Sequence, residues 1–343
     1  MSHIFSNRLI SIRNLIIFSV TMMKSILIKY RPVPLQHRRS PLTARIIFLF
    51  WTFAVSVWPQ NRFSAENQMK QLPGVPPDKF TFAVVGDRTG AGPDSWSVFD
   101  RAVSEMNLLR PDFCILIGDL IEGRSDRQVV LAQWQEAVQH LDSIRVPVFL
   151  IPGNHDISDQ QSYALWNERL GRPYGSMDIR GCHFLMLDTE EVQGSGEFGF
   201  GAKQLSFAEQ DILKNQNTRH FFVFLHQPVW TNSGIFKTQW ARLESILPKT
   251  RVTVVAGHLH ALAMKKQNGR TYLILGPTGG TLRLERSPAL GLFQHFTWFT
   301  VESGQCSVAF IEPGRIVSEG TALDAYDRYL KGLLLIKGQL PNP

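Results

Sequence analysis

Thiols, acids near the N-terminus and long apolar runs are scarce in this 343-residue chain. Its three cysteines, Cys114, Cys182 and Cys306, each lie inside an apolar, strand-like run with no close partner in sequence. That argues against a cystine scaffold or a thiolate zinc site and for buried small hydrophobes. There are no repeats, low-complexity tracts or coiled-coil heptads, which excludes solenoids and fibres. The GxxxxGK[ST] frame is absent, so the glycine-rich stretches 194–201 and 276–280 are not phosphate loops. The second stretch would let the backbone pass close to a polar pocket. Residues 1–65 hold no acid but nine of the 36 Lys and Arg, so residues 66–343 carry 27 bases against 29 acids. The formal charge of +7 therefore belongs to the leader, and the remainder is close to neutral. A nucleic-acid surface needs positive charge on the folded part, and no nucleic-acid partner is expected. At 44% hydrophobic and 19% charged, the chain has the composition of a folded domain.

The leader contains two apolar stretches. Residues 9–28 are interrupted by Arg13, Asn14 and Lys24 and would span a bilayer poorly. Residues 46–57 form an unbroken apolar run of twelve behind Arg38, Arg39 and Arg45. A spanning helix needs about 20 apolar residues and a secretory core about 7–15, so the run matches an export signal. Residues 1–65 are read as a signal peptide, with an uncleaved membrane anchor or an extension ahead of a start at Met22 or Met23 as alternatives. Export to the periplasm, the envelope or the medium follows, with membrane association through the leader as the alternative. Residues 66–79, rich in proline and polar side chains, read as a linker.

From residue 80 the pattern alternates. Apolar runs at 80–86, 113–117 and 148–151 are separated by helical spacing over 96–109 and 126–142. Further strands are expected at 182–188, 220–225, 252–256, 271–275, 295–301, 306–311 and 315–318. A helix is expected near 202–214, and a closing helix from Leu323 to Leu335. Parallel strands ending in Gly-Asp or Gly-Asn place polar residues at the edge where open α/β sheets bind ligands.

Taken singly those residues carry little weight: Asp87 could cap a helix, Asp119 could sit in a turn, and an HxH pair is common. Together, five strands end in a metal-ligand residue: Asp87, Asp119, Asn154, His226, and the His258/His260 pair. Read as an extended segment, the pair would face one side. Carboxylates with neutral imidazoles suit Zn, Mn or Fe, and a carboxylate such as Asp119 can bridge two ions.

The ordered motifs GDRTG (86–90), GDLIEG (118–123), GNHD (153–156), HQP (226–228) and GHLH (257–260) resemble those of the calcineurin-like metallophosphoesterases. The resemblance covers about residues 80–300. It implies an α/β fold, a four-layered α-β-β-α sandwich over residues 80–320, with 321–343 as a C-terminal helix and tail. It further implies a dinuclear centre: Asp87 and His260 on the first ion, Asn154, His226 and His258 on the second, Asp119 between them. His155 would protonate the leaving oxygen or stabilise the transition state, with Asp156 holding its tautomer. A solvent molecule shared by the metals would be the nucleophile.

One position departs from the family pattern: Thr89 stands where many members have a first-motif histidine ligand, so the first metal site should be weaker or more open. Arg88 is either a phosphate clamp or a salt-bridged structural arginine. Glu122 reads as a loop acid. His183, His220 and His295 read as strand-end residues, and Trp230 and Phe236 as packing residues. The resemblance implies metal-dependent hydrolysis of a phosphomonoester or phosphodiester on a small phosphorylated compound, with two Mn, Fe or Zn ions. A pyrophosphate or nucleotide-sugar hydrolase, a protein phosphatase and a catalytically weakened binding protein are the alternatives.

Overall fold

The computed structural model describes residues 62–72, 78–123, 126–191, 199–231 and 234–330. All of these lie within the unit that runs from Ser56 onward. The apolar run 46–57, most of the glycine-rich stretch 194–201, and the tail beyond Leu330 lie outside the described residues. Among the described residues no helix is long and apolar enough to cross a membrane.

Two mixed six-stranded sheets stack face to face. The first has the order β12-β11-β10-β1-β2-β3, with β1 (Lys79–Val85), β2 (Phe113–Leu116) and β3 (Val148–Leu150) parallel. Antiparallel β10 (Phe296–Glu302), β11 (Gln305–Glu312) and β12 (Arg315–Val317) extend it beyond β1. The second has the order β4-β5-β6-β7-β9-β8, in which β5 (Cys182–Met186), β6 (Phe221–Phe224), β7 (Val252–Ala256) and β9 (Arg270–Ile274) run parallel. Its edges are β4 (Gly175–Ile179) and β8 (Ala263–Gln267), both antiparallel to their neighbours.

The central strands are apolar on both faces because each face is covered. In β1, Phe80, Phe82 and Val84 point into the layer between the sheets, while Ala83 and Val85 meet the outer helices. Phenylalanine fills the middle layer. The Phe82 ring stacks 4.5 Å from Phe299 and 5.0 Å from Phe113, with the edges of Phe184 and Phe222 at 5.5 and 5.4 Å. Offset and edge-on rings at these spacings add to the burial term.

Helices Ser95–Leu109 and Arg127–Leu141 cover the first sheet through Phe99, Val103, Met106 and Trp134. Helices Ala202–Lys214 and Gly234–Ile246 cover the second through Ala208, Ile212, Phe236, Trp240 and Leu243. The layers run α-β-β-α. Asp126 starts the second helix by accepting from the amides of Gln128 and Val129, as an N-cap should.

The segment read as a linker carries structure. A helix spans Ala65–Met69, Phe63 is buried, and the Gln68 side chain accepts from Val148 N at 2.6 Å while donating to Arg62 O. At the other end, helix Glu319–Ala325 continues as a single wide turn over Tyr326–Leu330. Four elements had no clear signal in the sequence: helices Gln160–Arg169 and Gly234–Ile246, and the edge strands β4 and β8. The two edge strands mix polar and apolar residues (GSMDI and AMKKQ): β4 buries only Met177 and Ile179, and β8 buries Ala263 and Met264 at its start and exposes Lys266 and Gln267 at its end.

Candidate metal centre

The polar residues of all five motifs meet at the carboxyl ends of β1, β2, β3, β6 and β7. Two glycines make that approach possible. A Cβ on Gly118 would lie 2.5 Å from Gly153 N and 2.7 Å from His226 Nδ1, and one on Gly153 would lie 2.4 Å from Asp119 Oδ1. The Gly-Asp and Gly-Asn steps are thus a steric requirement of bringing three loops together.

The ligand atoms fall into two groups that share one residue. Asp119, His226 and His258 form one, and Asp87, Asp119 and His260 the other, with the atoms of each group within 4.8 Å of one another. His226 Nδ1 lies 2.8 Å from the carbonyl of Ile117 and donates to it, which turns Nε2 inward. There Nε2 meets Asn154 Oδ1 at 3.2 Å, His258 Nδ1 at 3.2 Å and Asp119 Oδ1 at 3.4 Å. Ligands held about 2.1 Å from a common ion at tetrahedral or octahedral angles sit about 3.0–3.4 Å apart, so this group fits a metal. The other group is wider, with Asp87 Oδ1 3.8 Å from His260 Nε2. His260 Nδ1 donates to Thr281 O at 2.6 Å, so its Nε2 likewise faces the acids. The donor set of carboxylate, amide oxygen and imidazole suits a divalent cation, and the chain holds a dinuclear site of this type.

The electrostatics favour a positive charge at the centre. Burial pushes the Asp87 carboxyl up, against the pull of His260 and His226. Burial acts the same way on Asp119, but His226 and the Asp119 bonds to His155 outweigh it and hold its carboxyl well below the ordinary range. Burial disfavours charge on His226, yet Asp119 and Asp87 overcome this and raise its imidazole well above the usual value. Desolvation and the neighbouring His226 push the half-buried His258 down to about 3, which favours its neutral ring.

His258 and His260 do not lie on an extended segment, as their spacing suggested. Both adopt left-handed backbone, φ 67° and 53°, in the loop after β7. The turn sends one imidazole to each group and buries Leu259 between them.

Two catalytic expectations need correction. Asp156 is buried and uses both oxygens on backbone amides: Oδ1 accepts from Leu120 N and Ile121 N at 3.0 and 3.1 Å, Oδ2 from Gly153 N at 2.9 Å. It ties two motif loops together and does not hold the His155 ring, whose Nδ1 lies 2.7 Å from Glu122 O. Burial, reinforced by Asp119, pushes the Asp156 carboxyl up to about 6. Arg88 is the salt-bridged arginine of the two readings, not a phosphate clamp. Its Nε donates to Leu120 O at 2.6 Å, Nη1 to Ser95 Oγ at 2.7 Å and Nη2 to Glu122 Oε1 at 3.2 Å, with the guanidinium 4.3 Å over Trp96. Thr89 is buried, and its carbonyl accepts from Thr281 N at 3.0 Å.

An open cleft of about 350 Å³ lies over the centre, lined by Asp119, Asn154, His155, His258, His260, Thr281 and Arg283. Thr281 and Arg283 carried no signal in the sequence, because they reach the site through the loop after β9. That loop is pinned there: Thr278 N and Gly280 N both donate to Asp87 O, at 2.8 and 3.0 Å. Behind His226 the sequence also passed over Asp188, Thr189 and Glu190, all buried, with Gln227 donating to the Glu190 carboxylate at 2.9 and 3.1 Å. Burial pushes Glu190 up to about 7. A strand ending in acids was the same signal that marked the other motifs. His183, His220 and His295 are buried strand-end residues, and Trp230 packs 5.4 Å from Tyr272 and against the cluster of Leu259, Ala263 and Ile274, outside the lining of the cleft.

A family model described as calcineurin-like phosphoesterase matches residues 80–262. Among curated proteins, purple acid phosphatase 23 of Arabidopsis thaliana is 28% identical over 148 residues, which is 37% of this chain and 31% of that protein. The 3′,5′-cyclic adenosine monophosphate phosphodiesterase CpdA of Haemophilus influenzae is 22% identical over 237 residues, covering 66% of this chain and 81% of its own length. A dimetal phosphatase from Danio rerio shares the fold at a TM-score of 0.57 and 16% identity, over 69% of this chain and 98% of its own.

Proposed function

The chain belongs to the calcineurin-like phosphoesterase family and is a metal-dependent hydrolase of phosphate esters; from that premise we propose that it acts on a small phosphorylated compound in the cleft over Asp119. The observation that carries this reading is the pair of ligand groups sharing Asp119 beneath an open cleft of about 350 Å³. Two bound cations supply a solvent nucleophile of lowered pKa and neutralise phosphate charge. Asp87, Asp119 and His260 would hold one ion, and Asp119, His226 and His258, with Asn154 beside them, would hold the other. Ile117 O and Thr281 O fix the tautomers of His226 and His260, so that Nε2 of each is the ligand atom. Glu122 O accepts from His155 Nδ1, which leaves Nε2 for the cleft, where the ring in its doubly protonated form would give its Nε2 proton to the leaving oxygen. Asp156 keeps the loops bearing Asp119 and His155 in register. The carboxylate, amide and imidazole donors support Mn, Fe or Zn. The order of basic, apolar and then small or polar residues through 38–65 supports export by the leader ahead of a catalytic region from residue 80 to about 320.

The test uses metal-stripped protein reloaded with Mn, Zn or Fe singly and offered an aryl phosphomonoester and an aryl phosphodiester, with Asp119→Ala as the blank. Turnover that needs metal and disappears in the blank is expected. Hydrolysis that survives in Asp119→Ala would sink the reading.

A further inference from the structure

We propose that Arg283 is the substrate-binding cation of this site, and that it selects phosphoryl groups carrying two negative charges over monoanionic diesters. The proposal rests on the phosphoesterase reading above. Four observations meet at this residue. First, Arg283 lines the cleft together with Asp119, Asn154, His155, His258 and His260 and is the one Lys or Arg in that lining. Second, its Nε donates to Leu259 O at 3.2 Å, and Leu259 is the buried residue between the two histidine ligands. The guanidinium is thereby tethered to the loop that carries both histidines. Third, among the described residues Nη1 and Nη2 have no hydrogen-bond or ion-pair partner, so four N–H groups remain for a ligand. Fourth, the segment that carries Arg283 is anchored on both sides of the centre, through Thr281 N to Thr89 O and His260 Nδ1 to Thr281 O.

The contrast with Arg88 sharpens the assignment. All three nitrogens of that guanidinium are bonded to protein, and its side chain is 6% exposed. Arg283 is exposed at the rim with its fork unspent. A monoester carries about −1.5 to −2 at neutral pH because its second ionisation lies near pH 6, whereas a diester carries −1. A planar fork that binds two oxygens in parallel adds more to the dianion, and its geometry is not reproduced by an ammonium. The terminal phosphate of a diphosphate presents the same dianionic chemistry.

The experiment compares wild type, Arg283→Gln and Arg283→Lys, all fully loaded with the same metal, on an aryl phosphomonoester and an aryl phosphodiester. Inorganic phosphate binding is measured by calorimetry and metal content by elemental analysis. For Arg283→Gln we expect KM for the monoester to rise about tenfold or more with kcat within about threefold, and diester kinetics to change less than about threefold. Phosphate affinity should fall about tenfold at unchanged metal content, with Arg283→Lys in between. Equal losses on both esters, a loss confined to kcat, or loss of metal from Arg283→Gln would each overturn the proposal. If wild type turned over neither ester, the proposed function would fail on its own. Phosphate affinity would still decide the Arg283 assignment: undiminished binding in Arg283→Gln refutes it.

Discussion

Replacing Asp156 separates two accounts of the same residue, because its carboxylate holds three backbone amides and does not hold the His155 imidazole. Asp156→Ala would orphan the N–H groups of Leu120, Ile121 and Gly153, all between the loops that bear Asp119 and His155. Each hydrogen bond to a charged acceptor contributes about 1.5–3 kcal/mol, and they share one buried acceptor, so their losses do not simply add. The expected destabilisation is about 3–5 kcal/mol, the scale seen when a buried charged network is broken. In a domain of this size, at about 2 °C per kcal/mol, that lowers Tm by about 6–10 °C. Asp156→Asn is the sharper probe. One oxygen can still accept from Leu120 and Ile121, but the new NH2 faces the Gly153 amide, donor against donor. A loss of about 2–3 kcal/mol is expected. Thermal and denaturant unfolding of the metal-free proteins measures both. The pH–rate profile of the loaded Asp156→Asn enzyme gives the second readout, and its apparent pKa values should stay at their wild-type positions. An Asn variant that unfolds like wild type yet loses about a hundredfold in kcat with a shifted profile would refute the loop-tie account and restore a tautomer-holding role.

Three further outcomes follow from the geometry. Metal titration of stripped protein should resolve a tighter and a weaker site, because one group has donor atoms 3.2–3.4 Å apart and the other is spread to 3.8 Å with Thr89 supplying no ligand. His258→Ala should abolish the tighter event and His260→Ala the weaker, and a single affinity lost equally in both variants would contradict this. His183 is held between Asp178 and Asp211 at 2.7 Å each, which outweighs the cost of its burial and raises its pKa. That stabilisation is fully present below the unfolded value near 6.5 and is lost as pH rises through the higher folded value. The stability gap between wild type and His183→Gln, followed by urea unfolding, should therefore shrink as pH is raised above 6.5, and a gap that widens would reverse the sign. Phe82→Ala removes the ring at the centre of the inter-sheet layer and should cost about 3–5 kcal/mol, read as a lower urea midpoint at unchanged slope. A loss under about 1 kcal/mol would mean that the layer collapses around the gap.

The candidate metal-binding residues were legible because each stands at or just past the end of an apolar strand, and Asp87, Asp119, Asn154 and His258 each follow a glycine. Strand order, the Gly-Asp and Gly-Asn steps, and motif order are local or one-dimensional properties, and they sufficed to single out Asp87, Asp119, Asn154, His226, His258 and His260 as residues that meet at one edge of the sheets. The sequence also carried the absence of a ligand at Thr89, the neutrality of the chain after residue 65, and the inward helices Ser95–Leu109, Arg127–Leu141 and Ala202–Lys214. Edge strands β4 and β8 were not legible, since partial cover (one face of β4, the first two residues of β8) leaves a mixed pattern without strong alternation.

What the tertiary structure alone decided is which polar group each side chain meets. Arg88 and Arg283 are both arginines near a motif or glycine-rich loop, and nothing local separates them. The partners Ser95, Leu120 and Glu122 use up the first, while the loop pinned to Asp87 O delivers the second to the cleft. Asp156 is next to His155 in sequence, yet adjacent residues in a tight turn point apart, so its carboxylate faces the amides of residues 120, 121 and 153. The imidazole is instead held by the carbonyl of Glu122, 33 residues upstream. Ligand identity follows from residue type and strand-end position, which sequence encodes directly. The partner of a side chain depends on loop backbone that closes only when both sheets have stacked on their layer of phenylalanine.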